Sequence, residues 1–168
     1  MTDRVAVEKV TAMASHDTYV VERQQRIDAP ASALYERIVD FHRWRTWSPW
    51  EDLDPSLRRA YSGPEQGVGA TYEWQGNRKA GAGRMTIADV EADHRVTIDL
   101  EFVKPFKSRS TTTFTLQPDG DATVVTWSMT GQKTLMTKVM GVFMSMDKMI
   151  GPDFEKGLAR LKANAESV

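Results

Sequence analysis

The chain has 168 residues, 40% hydrophobic and 27% charged, and its 22 Lys and Arg against 23 Asp and Glu give a formal net charge of −1. That length fits one domain with its own core, and near-neutrality excludes the broad positive field of a general nucleic-acid binder. There is no cysteine, which excludes disulfides, thiolate metal sites and thiol nucleophiles, and no apolar run approaches the roughly 20 residues of a membrane helix.

Residues 1–17 carry Val5, Val7, Val10 and Met13 at mixed spacing and are expected to form a tail or weakly packed helix, ahead of a single domain over 18–168. From Thr18 to Asp28, Tyr19, Val21 and Ile27 share one parity while Glu22, Gln24 and Arg26 take the other, which predicts a strand. Asp28-Ala29-Pro30 offers a helix start, and Leu34, Tyr35, Ile38 and Val39 follow at helical spacing. A second short apolar cluster, Phe41, Trp44 and Trp47, must end before Pro49. From about Leu57 the pattern turns to alternation. Ala70, Tyr72 and Trp74, then Met85 and Ile87, then Val96, Ile98, Leu100 and Phe102 read as inward residues of successive strands. Thr112, Phe114 and Leu116 and finally Val125, Trp127 and Met129 continue the pattern, with Gly- and Pro-containing turns between. Residues 134–165 read as helical, with Thr134 as N-cap and Met136, Met140, Phe143, Ile150, Phe154, Leu158 and Leu161 on one stripe. Pro152 inside that run predicts a kink near Gly151. The order predicts an α+β architecture: a curved antiparallel sheet around a long kinked C-terminal helix, with two short helices after the first strand. Such a sheet and one helix leave an interior space.

Metal and nucleotide motifs are missing. His16, His42 and His94 fall in three elements with no zinc-site spacing. Gly67-Val68-Gly69 and Gly81-Ala82-Gly83 sit between strands, so they read as turn or bulge glycines rather than a dinucleotide loop. No nucleophile elbow or P-loop occurs. No metal or cofactor is therefore expected. The aromatic residues and the methionines, six of nine between Met129 and Met149, read either as packing or as an adaptable wall for an apolar ligand. Val142, Met146 and Met149 lie off the main stripe and could instead meet the tail or a partner. Asp147 falls near the centre of the helical stripe. There a carboxylate is either paired, by an arginine or a strand hydroxyl, or serves as a polar contact or acid/base group for a ligand. A turn into solvent at the Pro152 kink is the third option. Glu51 reads as a solvated surface residue or a group at the cavity mouth, and Arg84 as outward-facing.

Val21-Glu22-Arg23, Ile27-Asp28-Ala29-Pro30, the Trp44-Arg45-Thr46-Trp47-Ser48-Pro49-Trp50 cluster and Asp54-Pro55 resemble the START-like, or SRPBCC, superfamily. The nearest branch is that of bacterial polyketide cyclase/dehydrase-like proteins. The resemblance continues through Gly63-Pro64, Gly67-Val68-Gly69-Ala70, Trp74-Gln75-Gly76-Asn77, Gly81-Ala82-Gly83, Thr123-Val124-Val125-Thr126-Trp127 and Phe154-Glu155-Lys156-Gly157-Leu158, spanning roughly 18–165. It implies a helix-grip fold of seven strands and the binding of a lipid-, sterol-, quinone- or polyketide-like molecule. It transfers no catalytic motif.

Three functions compete. The leading one is a cytoplasmic carrier or sensor, monomer or homodimer, that encloses an apolar ligand without nucleic acid or an integral membrane segment. Its wall would be Trp47, Trp50, Tyr72, Trp74, Phe102, Phe114, Trp127, Met129, Met136, Met140 and Phe143, with Asp147 orienting a polar group. The second is a cyclase or dehydratase with Asp147 as acid/base and Tyr72 or Tyr61 as donor. The third is a protein-interaction module of the chaperone-activator kind, with an exposed apolar patch from Val142, Met146 and Met149.

Overall fold

A computed structural model describes residues 18–133 and 145–167. Seven strands are present: β1 (Thr18–Ile27), β2 (Arg58–Ser62), β3 (Thr71–Gln75), β4 (Ala82–Glu91), β5 (Arg95–Lys104), β6 (Ser108–Asp119) and β7 (Ala122–Gln132). They form one curved antiparallel sheet in the order β1-β7-β6-β5-β4-β3-β2. Strands β2 to β7 follow one another as neighbours, while β1 crosses over to pair with β7, Val21 opposite Met129 and Ile27 opposite Thr123. That crossover is made by α1 (Ala31–Val39) and a 3₁₀ helix (Phe41–Thr46). The last element, α2 (Met146–Glu166), packs chiefly on β1 and also touches α1 and the 3₁₀ helix.

Local chemistry explains the boundaries. Pro30 sits at the N-cap of α1 in extended conformation, where its missing N–H leaves no helical bond unmade. Asp40 ends α1 and caps the 3₁₀ helix, its side chain accepting from the His42 N–H at 2.9 Å. The alternation Val96, Ile98 against Arg95, Asp99 makes β5 buried on one face only.

The C-terminal helix departs from expectation at its start. Ser145 has an extended backbone and its hydroxyl accepts from the Lys148 N–H at 3.3 Å, so the described helix begins at Met146 instead of running unbroken from 134. Pro152 lies inside it and offers no N–H to the carbonyl of Lys148. The expected tail 1–17, the Thr134 cap and Met136, Met140, Val142 and Phe143 lie outside the described residues.

The core has two parts. Val21, Ile27, Leu34, Ile38, Val96, Ile98, Leu116, Val125, Leu158 and Leu161 supply aliphatic filling, all nearly inaccessible. An aromatic block fills one side of the interior. Trp127 stacks on Phe154 with centroids 4.1 Å apart and planes 9° from parallel, and Phe114 lies 4.8 Å from Trp127. Trp44 and Trp47 pack 4.7 Å apart and meet Phe114 edge to face. Edge-to-face and stacked pairs each contribute about 0.5–1.5 kcal/mol beyond area burial. Gly157 on α2 permits this block: a Cβ there would lie 2.7 Å from Trp127 Cζ3 and 2.9 Å from Pro49 Cδ.

Candidate functional site

Beside the aromatic block the interior is hollow. A cavity of about 180 Å³ lies between β3, β4 and β5, the segment around Trp50, and the first turns of α2. Its apolar wall follows from strand register. Tyr72, Met85 and Leu100 lie side by side across β3, β4 and β5, and Trp74, Gly83 and Phe102 form the next row. The side chain missing at Gly83 makes the room: a Cβ there would sit 2.5 Å from Trp74 Cη2 and 2.3 Å from the Glu101 carbonyl oxygen. The Trp74 indole lies over that gap, edge to face with Phe102 at 5.4 Å, and its Nε1 donates to the Ala80 carbonyl at 2.9 Å. Trp50, Met129, Ile150 and Phe154 close the opposite side.

The expected wall residues divide accordingly. Trp50, Tyr72, Trp74, Phe102, Trp127 and Met129 line the cavity. Trp47 and Phe114 point inward as expected but are spent in the aromatic block and reach no cavity surface. Met136, Met140 and Phe143 belong to the undescribed stretch.

Asp147 requires a correction. It stands at the second position of α2 with its side chain 51% exposed, away from the cavity wall. Arg23 of β1 grips it with two hydrogen bonds, Nη1 to Oδ1 at 2.7 Å and Nη2 to Oδ2 at 2.9 Å, and reaches Glu155 at 3.0 Å. Asp147 keeps the phase of Phe154 and Leu158 within α2, but it stands in the first turn, ahead of the buried part of the stripe, where Arg23 takes its carboxylate and the helix dipole favours an anion. The Arg23 hydrogen bond holds its carboxyl below the usual carboxylate range, which suits an ion pair and not a proton donor.

The carboxylate in the wall is Glu51. Its side chain is only 8% exposed; Oε2 accepts from Arg59 Nε at 2.7 Å and Oε1 from the Tyr72 hydroxyl at 3.1 Å. Burial opposes the Arg59 charge, but the Glu51 hydrogen bond and charge outweigh it and raise the guanidinium pKa. Burial and the Glu51 charge push the Tyr72 phenol far above its ordinary value. Tyr61, opposite Tyr72 in the β2–β3 pair, is raised by the same two causes and stacks on His42 at 4.0 Å. The surface reading of Glu51 missed this network. The available signal was Arg59 and Tyr61, two apart on β2 and therefore on one face of the strand.

Among the described residues, two buried side-chain polar atoms have no hydrogen-bond partner, the Tyr61 hydroxyl and Trp127 Nε1. Lys79 also borders the cavity, as an exposed residue. Arg84 points outward and pairs with Glu73, as expected. Met146 is partly buried against the core instead of forming an exposed patch, and exposed large apolar residues among those described are Val20, Val68, Val103 and Phe106. Among the described residues no group of three or more His, Cys, Asp or Glu could hold a metal ion, and no helix is long and apolar enough to cross a membrane.

Residues 18–166 match the family described as polyketide cyclase / dehydrase and lipid transport. No curated protein matches the chain. Among solved structures, protein MLL2253 from Mesorhizobium loti is 22% identical with a TM-score of 0.60, covering 88% of this chain and 97% of its own. Ara h 8.0201 is 12% identical with a TM-score of 0.62, covering 90% of this chain and 99% of its own. The Aha1 dimer from Colwellia psychrerythraea is 16% identical with a TM-score of 0.59, over 88% and 96%. At these identities the likeness concerns the fold.

Proposed function

The chain belongs to the polyketide cyclase / dehydrase and lipid transport family, and on that premise we propose that it binds a small hydrophobic molecule in the cavity beside β3, β4 and β5, as a cytoplasmic carrier or sensor. The fold is a hydrophobic ligand-binding one. The observation that carries the reading is the cavity itself: about 180 Å³ walled by Trp50, Trp74, Met85, Leu100, Phe102 and Met129. A ligand burying about 250 Å² of apolar surface there gains roughly 6 kcal/mol before the costs of association. That gross gain sets a ceiling of roughly tens of micromolar, and the costs of association bring the affinity to about millimolar or weaker.

Binding is favoured over proton transfer by the state of the acidic groups. Asp147 is committed to Arg23 outside the cavity, and both oxygens of Glu51 are engaged by Arg59 and Tyr72. Methyl and indole NMR spectra recorded during titration with toluene test the reading. Saturable shifts at Met85, Met129, Trp50 and Trp74 are expected. Spectra unchanged at those four residues overturn it.

A further inference from the structure

At one end of the sheet the turn between β3 and β4 (76–81) lies against the turn between β5 and β6 (105–107). Ala82 pairs with Lys104, and a Cβ on Gly81 would stand 3.6 Å from Pro105 Cδ. With Val103 and Lys104 at the end of β5, these turns carry Arg78, Lys79, Lys104 and Lys107 and no Asp or Glu. All four cations are exposed, and among the described residues none of them has an ion-pair partner, whereas Arg84, Arg95 and Arg109 on the adjoining strands are each paired. The carboxylate that touches this end, Asp54, accepts from the backbone N–H groups of Ser56 and Asn77, each at 2.8 Å. Amid these charges stand Phe106 and Val103, 51% and 53% exposed, two of the four large apolar side chains that the described residues leave in solvent.

We propose that this end of the sheet docks on an anionic lipid surface, with Phe106 and Val103 entering the interface and Arg78, Lys79, Lys104 and Lys107 meeting the headgroup phosphates. Charge complementarity carries the choice of occupant. On a chain of net charge −1 these turns form a local positive patch, and each Lys or Arg held near an anionic leaflet strengthens binding by about fivefold. The apolar pair decides between polyanions. A nucleic acid or an acidic protein would take the cations but offer Val103 and Phe106 no hydrocarbon, whereas a bilayer interface takes both kinds of group at once. The cavity adds a second argument, resting on the binding reading above. It reaches this end of the sheet, where Lys79, Ala80 and Phe102 line it, and a sparingly soluble apolar ligand is most concentrated in a membrane.

The chain has no cysteine, so one dye can be placed at a chosen site. Phe106→Cys and, in the turn at the opposite end of the sheet, Val68→Cys are labelled with the polarity-sensitive fluorophore NBD. Each is titrated with unilamellar vesicles of phosphatidylcholine alone or mixed equally with phosphatidylglycerol. Emission from the label at 106 should rise and shift to the blue with the anionic vesicles only, while the label at 68 stays in water with both. In co-sedimentation of the unlabelled protein with the anionic vesicles, Lys104→Gln and Lys107→Gln should each weaken binding by about fivefold. Lys156→Gln, which removes an exposed charge from α2, should leave it unchanged. Added salt should weaken binding as the Debye length shortens. A label at 106 that stays in water on anionic vesicles overturns the proposal, and so does a loss from Lys156→Gln equal to that from Lys104→Gln. Binding to a single-stranded oligonucleotide without binding to the anionic vesicles also overturns it, the patch then serving another polyanion. Neither readout probes the cavity interior, so toluene binding there stands or falls separately.

Discussion

Replacing Phe154 by alanine probes the boundary between the filled and hollow halves of the interior. Phe154 is 1% exposed, lies 4.1 Å from Trp127 in a near-parallel stack, and borders the cavity on its other side. Loss of its burial costs about 1.5–3 kcal/mol, and loss of the stack about 0.5–1.5 kcal/mol more. With the void left behind, the total should reach the upper part of the range of about 3–5 kcal/mol seen for buried aromatic truncations. The new space is continuous with the existing cavity, so the variant should accept an added ring. A ligand held at tenfold its Kd returns about 1.4 kcal/mol. Urea unfolding with and without toluene reads both effects: a large drop in midpoint, and a toluene-induced recovery greater in the variant than in the native protein. A loss below about 1 kcal/mol would show that the stack is not structural. Equal recovery in both proteins would show that the space collapses and that the wall does not extend to α2.

Glu51→Ala should cost about 1–3 kcal/mol in urea unfolding, because it leaves the largely buried Arg59 unpaired, while Glu51→Gln, which keeps an acceptor for Tyr72, should cost less. Tyr19, Tyr35, Tyr61 and Tyr72 are the four tyrosines, and burial raises every one above its ordinary value of 10.0. Their contribution to stability is therefore complete below about pH 10 and is lost as pH rises through the raised folded values. Absorbance at the tyrosinate band should therefore develop at higher pH than for free tyrosine, with Tyr72 ionising last; a tyrosine that titrates reversibly below pH 10 in the folded protein contradicts this. Asp147→Asn should leave toluene affinity unchanged by NMR titration, and a fall in affinity would return that side chain to the cavity. Gly157→Ala should lower the Tm despite a gain in helix propensity of about 1 kcal/mol, because the new Cβ meets Trp127 at 2.7 Å and Pro49 at 2.9 Å, an overpacking worth about 1–3 kcal/mol.

Strand periodicity was legible because one face of the sheet is buried: Val96 and Ile98 or Trp127 and Met129 could not sit on the other face without exposing the core. The same periodicity could not say which inward residues meet a void. Trp47 and Phe114 have the right parity and fill the block, while Trp74 reaches the hollow because Gly83 stands beside it in the next strand. Registers between strands, which decide that, follow from turns and bulges such as the one between Ala82 and Gly83. Asp147 was misplaced for a different reason. A helical wheel gives direction and not coverage: Asp147 shares the phase of Phe154 and Leu158, yet at the first turn of α2 it meets Arg23 of β1 before it meets the core. Glu51 lies between elements, where no period fixes direction, and its burial depends on Arg59 eight residues onward.

The lopsided interior lets two demands on the sequence be met largely apart. Trp47 and Phe114 serve cohesion alone and Trp44, Trp127 and Phe154 serve both cohesion and the wall, whereas Met85, Leu100 and Phe102, on strands farther along the sheet, shape the rest of the hollow. Exchanges such as Leu100→Val or Phe102→Leu should reshape the hollow while the Trp47–Phe114 packing stays whole, so its contour can change without disturbing what holds the sheet together.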